Sequence, residues 1–251
     1  MANGIIRQSQ TKKELAQYLS ASLLGPENST LLRAIRRKHL LSWPGLTTQL
    51  ITKHLPKSRA TAKGHLDQES KNLQSTKIDE DIVPSQEPDN IKTHDVLCVI
   101  IDSTDLASKS YSDQTCKFPI TLSQGNKYIF IMYHYDTNTI HAVPIKSRHT
   151  ENIVTAWQTT FDILKLNGKA PNIHILDNEC SYYMKQAFNI AKVKYQLVPP
   201  HVHRRNAAER AIRTFKNHFI TGLCLCDTNF PAKEWDRLIP LATITLNLLR
   251  S

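Results

Sequence analysis

Residues 126–145 hold two strand-like runs separated by a short polar turn, and this pair constrains the fold more than any other feature. The first run, NKYIFIMYHYD, is long and rich in aromatic residues, and the second, TIHAVPI, follows the polar residues Asp136, Thr137 and Asn138. Runs of this kind on either side of a turn are typical of neighbouring strands. Their short connection favours an antiparallel pair.

The flanking sequence extends this pair into a mixed α/β pattern. Further strands are predicted in VLCVIID (96–102), KSYSDQT (109–115), PNIHILD (171–177) and VKYQLVPP (193–200). Helices are predicted at 151–166, 180–191, 205–224 and 232–249. This order predicts an α/β fold with a mixed sheet, in which antiparallel strands lead into parallel strands flanked by helices.

The first 77 residues are strongly basic and lack strand patterns. They hold 13 Lys and Arg against four acids, in a chain whose formal net charge is +10. Gly and Pro breakers predict short helices at 11–24, 29–41 and 47–55, with Ser29 as the N-cap of the second. We therefore predict a small all-helical domain over residues 1–77.

Residues 78–95 separate this domain from the strands. They contain six acids, one Lys and two prolines without an apolar period, which is typical of a linker. Their acidity could also hold the basic domain back from DNA. The core is then predicted to run from 96 to 251.

The composition indicates the cellular compartment and the class of binding partner. A pI of about 9.4 favours a polyanionic partner. Five cysteines without a CxxC pair, and no signal peptide, predict a reduced, intracellular protein. The apolar runs are far shorter than the ~20 residues of a spanning helix, so no membrane insertion is expected.

Two acids suggest phosphodiester chemistry. Asp177 ends an apolar run in PNIHILD, and Glu209 lies in the basic stretch HRRNAAERAIRTFK. Hydrolysis or strand transfer can use two Mg²⁺ ions about 3.5 to 4 Å apart, held by clustered carboxylates. Asp177 is at the strand end where such ligands lie in α/β sheets, although it could equally start a turn or cap a helix.

Glu209 also has a structural interpretation. Its spacing allows a capping box with Asn206, and ion pairs with Arg205 and Arg213 would also account for a glutamate at this position. Its helix face favours the metal interpretation, because Arg205, Glu209, Arg213 and Lys216 form a polar stripe. That stripe is predicted beside a buried one made of Ala208, Ile212, Phe215, Phe219 and Leu223. The pattern does not choose the third acid among Asp102, Asp105, Asp113 and Asp136.

From Asp113 to Leu249 the chain resembles the catalytic core of integrases from copia-like LTR retrotransposons, a branch of the ribonuclease H-like superfamily. The segments that carry the resemblance are YSDQTCKFP, QGNKYIFIMYHYD, ILDNECS, YQLVPPHVHRRNAAERAIRTFKNHF and PLATITLNLLR. The long VPPHVHRRNAAERAIRTFKNHF segment is the most specific of them. The sequence departs from the family at Cys116, where many relatives have Gly, and in the 31 residues between Asp177 and Glu209, against 35 in retroviral relatives.

The resemblance implies a D,D,E triad of Asp113, Asp177 and Glu209, with Asp102 as the runner-up for the first position. These carboxylates would hold two Mg²⁺ or Mn²⁺ ions for 3′-end processing and strand transfer during DNA integration. The DNA backbone would be contacted by Arg204, Arg205, Asn206, Arg213 and Lys216. Homo-oligomers are expected in the active form, in the nucleus or in a cytoplasmic retroelement particle.

Three further expectations follow. No zinc is expected in the N-terminal segment, because His39, His54 and His65 have no cysteine before Cys98. The chain is expected to be a polyprotein fragment or a decayed copy. The alternatives to an integrase are a nuclease of the same fold without strand transfer, and an inactive nucleic-acid-binding remnant.

Overall fold

The computed structural model describes residues 12–66, 108–176, 180–198 and 207–250, and a five-stranded mixed sheet lies at its centre. The strands are β1 (Lys109–Gln114), β2 (Tyr128–His134), β3 (Thr139–Ile145), β4 (Ile173–Leu176) and β5 (Lys194–Leu197). Their order is β3-β2-β1-β4-β5. The β1–β2 and β2–β3 pairs are antiparallel, and the β1–β4 and β4–β5 pairs are parallel.

This topology confirms the predicted fold class, a ribonuclease H-like mixed sheet with antiparallel strands followed by parallel ones. The hairpin expected from 126–145 is β2 and β3, and its turn is closed by Asn138 in the left-handed conformation (φ 54°). Asn tolerates that conformation better than most residues. The run VLCVIID lies outside the described residues.

Helices cover both faces of the sheet, so β2 is buried on both sides. On one face, Phe130 and Met132 pack against α5 (Thr150–Leu166) and α6 (Tyr182–Ala191). On the other face, Ile129 and Ile131 pack against α7 (Ala207–Leu225) and α8 (Ile239–Arg250). Successive side chains of a strand point to opposite faces, which explains why β2 is a continuous apolar run rather than an alternating one.

The helix predicted at 232–249 is wrong in its first part. Residues Ala232–Leu238 form a 3₁₀ helix, with non-helical angles at Glu234 (φ −123°, ψ 27°), and α8 begins only at Ile239. Pro240 supplies the reason, because a proline has no N–H to donate into a preceding turn and is tolerated only near a helix start.

Within residues 12–66, four short helices precede the sheet: α1 (Lys12–Ser22), α2 (Asn28–Arg36), α3 (Thr48–His54) and α4 (Arg59–Gly64). The second differs from the prediction, because its N-cap is Glu27 and Ser29 lies within the helix. It also ends five residues early, where Lys38 adopts the left-handed conformation (φ 63°). Thr47 caps α3 by accepting the Leu50 N–H (3.2 Å).

The N-terminal helices pack directly on the helices behind the sheet. Leu31 of α2 shares one apolar cluster with Leu249 of α8. Leu24, just after α1, belongs to the cluster formed by α7 and the sheet. The two parts of the chain therefore share their cores, although the predicted boundaries at 77 and 96 fall outside the described residues. Among the residues described, no helix combines the length and apolarity needed to cross a membrane.

Candidate metal and nucleic-acid site

The parallel strands β1 and β4 end at the same edge of the sheet, where the sequence predicted two of its acids. Asp113 is the penultimate residue of β1. Strand β4 ends at Leu176, and Asp177 is the next residue in the sequence but lies outside the described residues. The register aligns Tyr111 with Ile175, so the two strands run side by side up to this edge.

Asp113 lies on the face of β1 that α7 covers. Ser110 and Ser112 are buried on the opposite face, where both contact His174. Alternation along the strand therefore places Asp113 with Tyr111 on the α7 side. The Asp113 carboxylate is half-buried, and its Oδ1 accepts the backbone N–H of Gln114 at 2.7 Å.

His174 joins β1 to β4 just before this edge. Its Nδ1 lies 2.7 Å from the Ser110 Oγ and its Nε2 lies 2.8 Å from the Ser112 Oγ. The ring is fully buried between Trp157 and Phe188, and burial lowers the pKa of His174 to about 3. The imidazole is thus neutral at pH 7, and one ring nitrogen donates while the other accepts.

Glu209 lies in the first turn of α7 and is exposed. The helix packs against β1 and β2. The pKa of Tyr111 in β1 is raised, mainly by burial and also by the neighbouring Tyr135 and Tyr133. The positive charge of Arg210, the residue after Glu209, acts against this rise. Tyr111 lies on the same face of β1 as Asp113 and two residues before it, so the first turn of α7 lies over the earlier part of this strand.

The two predicted stripes of α7 are confirmed where the structure describes them. Ala208, Phe215 and Phe219 are buried, and Ile212 and Leu223 are half-buried. On the polar stripe Glu209 and Arg213 are exposed and Lys216 is half-buried. The remaining predicted DNA contacts, Arg204, Arg205 and Asn206, lie outside the described residues, so the capping-box interpretation of Glu209 stays a prediction.

Of the other candidates for the first acid, the structure describes only Asp136. It is exposed in the turn after β2. Because β2 is antiparallel to β1 and His134 pairs with Ser110, Asp136 lies beyond the N-terminal end of β1. That is the opposite end of the sheet from the Asp113 edge. Asp102 and Asp105 are outside the described residues.

The residues present suit a hard divalent cation. Carboxylate oxygens are the ligands that Mg²⁺ prefers, and the half-buried Asp113 supplies a carboxylate at the end of β1. Within 12–66, 108–176, 180–198 and 207–250, no three His, Cys, Asp or Glu residues gather into a metal-binding group. The third predicted member, Asp177, is not among those residues.

A cleft of about 400 Å³ opens at the first turns of α7, and the sequence did not point to it. It is lined by Tyr133, Tyr135, Ala207, Arg210, Ala211, Thr214 and Arg250. Arg250 is fixed there by bonds from its Nε to the Asn138 carbonyl (3.1 Å) and from its Nη2 to the Asn138 Oδ1 (2.6 Å). Residues so far apart in the sequence give no local signal for such a cleft.

No protein-family model matches the sequence, and no curated protein sequence matches it. The structure does resemble several solved structures. A chain of the simian T-cell lymphotropic virus intasome in complex with PP2A regulatory subunit B56 gamma matches with a TM-score of 0.42 and 13% identity, covering 55% of this chain and 47% of that one, about half its length. The HTLV-2 integrase catalytic core domain in complex with magnesium, in trimeric and dimeric forms, matches with a TM-score of 0.43 and 16% identity over 55% of this chain and 82% and 83% of those. The fold assignment itself rests on the strand order and directions described above.

Proposed function

We propose that this chain is the integrase of a copia-like LTR retrotransposon, a polynucleotidyl transferase that processes the 3′ ends of element DNA and joins them to a target. Asp113, Asp177 and Glu209 would hold two Mg²⁺ or Mn²⁺ ions. Arg204, Arg205, Asn206, Arg213 and Lys216 would hold the DNA backbone. The proposed core is 96–251, preceded by the basic helical domain 1–77 and the acidic linker 78–95.

One observation carries the proposal: α7, with Glu209 exposed in its first turn, packs on the face of β1 that bears Asp113. Two acids that are 96 positions apart in the sequence (209 − 113) thus lie on elements in contact. The parallel neighbour of β1 ends one residue before Asp177. The family motifs YSDQTCKFP, ILDNECS and NAAERAIRTFK supply the same three acids.

Each group has a defined task in this proposal. Bound Mg²⁺ would activate the attacking oxygen and offset the charge on the phosphate. The carboxylates of Asp113 and Glu209 supply hard oxygen ligands from two rigid elements, a strand and a helix. Arg213 and Lys216, one and two turns along the same helix face from Glu209, would bind phosphates to one side of the reacting one.

Joining two DNA ends to one target calls for more than one copy of the chain, so a homo-oligomer is proposed for the active form. The reaction would take place in the nucleus or in a cytoplasmic retroelement particle. Both statements follow from the proposed chemistry.

The experiment that tests the function is a Mg²⁺-dependent strand-transfer assay with labelled donor ends, run on the wild type and on Glu209→Gln. Gln retains the capping geometry but is a poor metal ligand, so strand transfer should be lost while the melting temperature is unchanged. Lys165→Gln, an exposed change on α5, is the matched control and should keep full activity. Activity that survives in Glu209→Gln would rule out the metal role of Glu209.

The same assay separates the alternatives. Hydrolysis of donor ends without any joined product would identify a nuclease of the same fold. DNA binding without Mg²⁺- or Mn²⁺-dependent cleavage in the wild type would identify an inactive remnant.

A further inference from the structure

The short helix α4 is docked tightly on α7 through Gly64. A Cβ atom at Gly64 would lie 2.6 Å from the Asn217 carbonyl oxygen and 2.9 Å from the Thr221 backbone nitrogen. Both distances are shorter than real Cβ contacts allow, so only glycine permits this approach. With its side-chain amide oriented nitrogen toward α4, Asn217 also donates to the Gly64 carbonyl oxygen at 3.2 Å.

A second contact ties α4 to the preceding helices. Thr61 donates its hydroxyl to the Gly25 carbonyl oxygen at 2.9 Å, and Gly25 itself lies against Thr221 of α7. Gly25 has a φ of +60°, a conformation that glycine adopts without strain. The position of α4 along α7 is therefore fixed from two sides.

The helical periodicity of α7 shows which of its residues flank the contact with α4. Successive helix residues are about 100° apart, so Asn217 and Thr221 form the face that α4 covers. Arg213 and Lys216, on the polar stripe, lie on one side of this face. His218 lies on its other side, buried, with its Nε2 2.9 Å from the Thr245 Oγ1.

The same periodicity assigns the residues of α4 to a contact face and two flanks. Ala60 and Gly64 are buried on its contact face, and the flanks carry His65 on one side and the exposed cations Arg59 and Lys63 on the other. Thr61, on the His65 flank, bonds Gly25, which lies against Thr221 and Leu225 of α7, so this flank faces the His218 side of α7.

The opposite flank of α4 therefore faces the polar stripe of α7. Arg59 and Lys63 are four residues apart on one exposed face, and Arg213 and Lys216 are the cations across from them. The described N-terminal helices, 12–66, hold ten Lys and Arg against two acids, Glu14 and Glu27, so no large negative charge opposes this surface. A continuous basic surface thus crosses from α7 onto α4.

We propose that Arg59 and Lys63 bind the phosphate backbone of double-stranded DNA and extend the contact surface of α7 away from Glu209. The inference rests on the proposed function, since DNA is the polyanion that an integrase core handles. Two rigid helices held together at Gly64 would present the four cations in a fixed arrangement. Phosphate contacts of this kind position a duplex without reading its sequence.

The test measures how the affinity for a 20-base-pair DNA duplex depends on salt, for the wild type and for Arg59→Gln/Lys63→Gln. Each phosphate contact contributes about 0.9 to the slope of log K against log [salt], so the double variant should lower the slope by about 1.8. The matched control is Lys12→Gln/Lys13→Gln, which removes the same charge from exposed positions on α1. Its slope should equal that of the wild type.

Two results would overturn the inference: an unchanged slope in the α4 variant, or an equal drop in the α1 control, which would mean a general charge effect. All four positions are exposed, so the fold should be unaffected, and melting temperatures verify this. Strand transfer by the wild type together with an unchanged slope in the α4 variant would reject the α4 surface but keep the proposed function. A lowered slope without any metal-dependent cleavage by the wild type would support the α4 surface but reject the proposed function.

Discussion

The Nε2 atom of His174 lies 2.8 Å from the Oγ atom of Ser112, the residue directly before Asp113. With the 2.7 Å contact between Nδ1 and the Ser110 Oγ, one neutral ring bonds two residues of the neighbouring strand. All three side chains are buried, so the two ring nitrogens of His174 depend on these bonds. The contact stabilises the β1–β4 pair next to the candidate site.

Ser112→Ala should therefore lower the free energy of unfolding by about 1 to 3 kcal/mol, because a buried ring nitrogen of His174 loses its partner. Urea unfolding followed by circular dichroism measures the change. Ser123→Ala, at an exposed position after β1, is the control and should stay within about 0.5 kcal/mol of the wild type. Equal stabilities for the two variants would contradict the role given to this bond.

Acidification should destabilise the fold through its buried histidines. Burial lowers the pKa of His218 to about 4, with a smaller contribution from His65, against 6.5 for an ordinary histidine. The unfolded chain therefore takes up the proton first as the pH falls, and stability is lost from about pH 6.5 down to about pH 4. The shift corresponds to roughly 3 kcal/mol.

Urea unfolding of the wild type and of His218→Gln, at several pH values between 7 and 4, isolates this effect. Other acid-sensitive groups are common to both proteins, so the difference between the two curves belongs to His218. As the pH falls, the free energy of unfolding should decrease more for the wild type than for His218→Gln. A difference that stays constant with pH would contradict the prediction.

Much of the sheet could be predicted because its strands have local signals. The apolar run and polar turn at 126–145 encode β2 and β3, and residues 129–132 of β2 are all buried because both faces are covered. The acids followed from motifs rather than from periodicity. Asp113 was one of four candidates on pattern alone, and only the sheet direction removes Asp136 from that edge.

The features that could not be predicted depend on contacts between distant residues. His174 sits in an ordinary strand run, and only the parallel pairing of β4 with β1 shows that its ring bonds Ser110 and Ser112. Gly64 has no local sequence signal that marks it as a packing residue. Its role depends on Thr221, more than 150 positions later, and on a helix packing that no local pattern encodes.

Gly64→Ala should lower the stability of the whole chain, because the added methyl group cannot fit between α4 and α7. Overpacking of this kind costs about 1 to 3 kcal/mol. Ala62→Ser, at an exposed position of the same helix, is the control. Thermal unfolding of both variants measures the difference, and a melting temperature of Gly64→Ala equal to that of the control would contradict the tight packing.

Asn247 satisfies the backbone of the edge strand β3. Its Oδ1 accepts the Ile140 N–H and its Nδ2 donates to the Ile140 carbonyl oxygen, both at 2.8 Å. Asn247→Leu, which keeps a similar size, should cost about 1 to 3 kcal/mol because both backbone groups lose their partner. Asn189→Leu on the exposed side of α6 is the control. Chemical denaturation checks the prediction, which fails if the two variants unfold at the same urea concentration.

The choice between Asp113 and Asp136 can be decided by activity. Asp113 lies at the edge where β1 and β4 end, whereas Asp136 lies beyond the other end of β1. Asp113→Asn should lower Mg²⁺-dependent strand transfer more than about a hundredfold, since changes in the outer shell of a metal site alone cost about 10- to 100-fold. Asp136→Asn removes the same charge and should keep activity near that of the wild type.

Donor-end cleavage and strand transfer are measured for both variants at equal protein concentration, with melting temperatures to show that each is folded. Duplex DNA binding without metal should be kept in both, because neither acid contacts phosphate directly. If Asp113→Asn stays active while Asp102→Asn does not, the first metal ligand is Asp102. If Asp136→Asn is the inactive variant, the metal site is at the opposite end of the sheet.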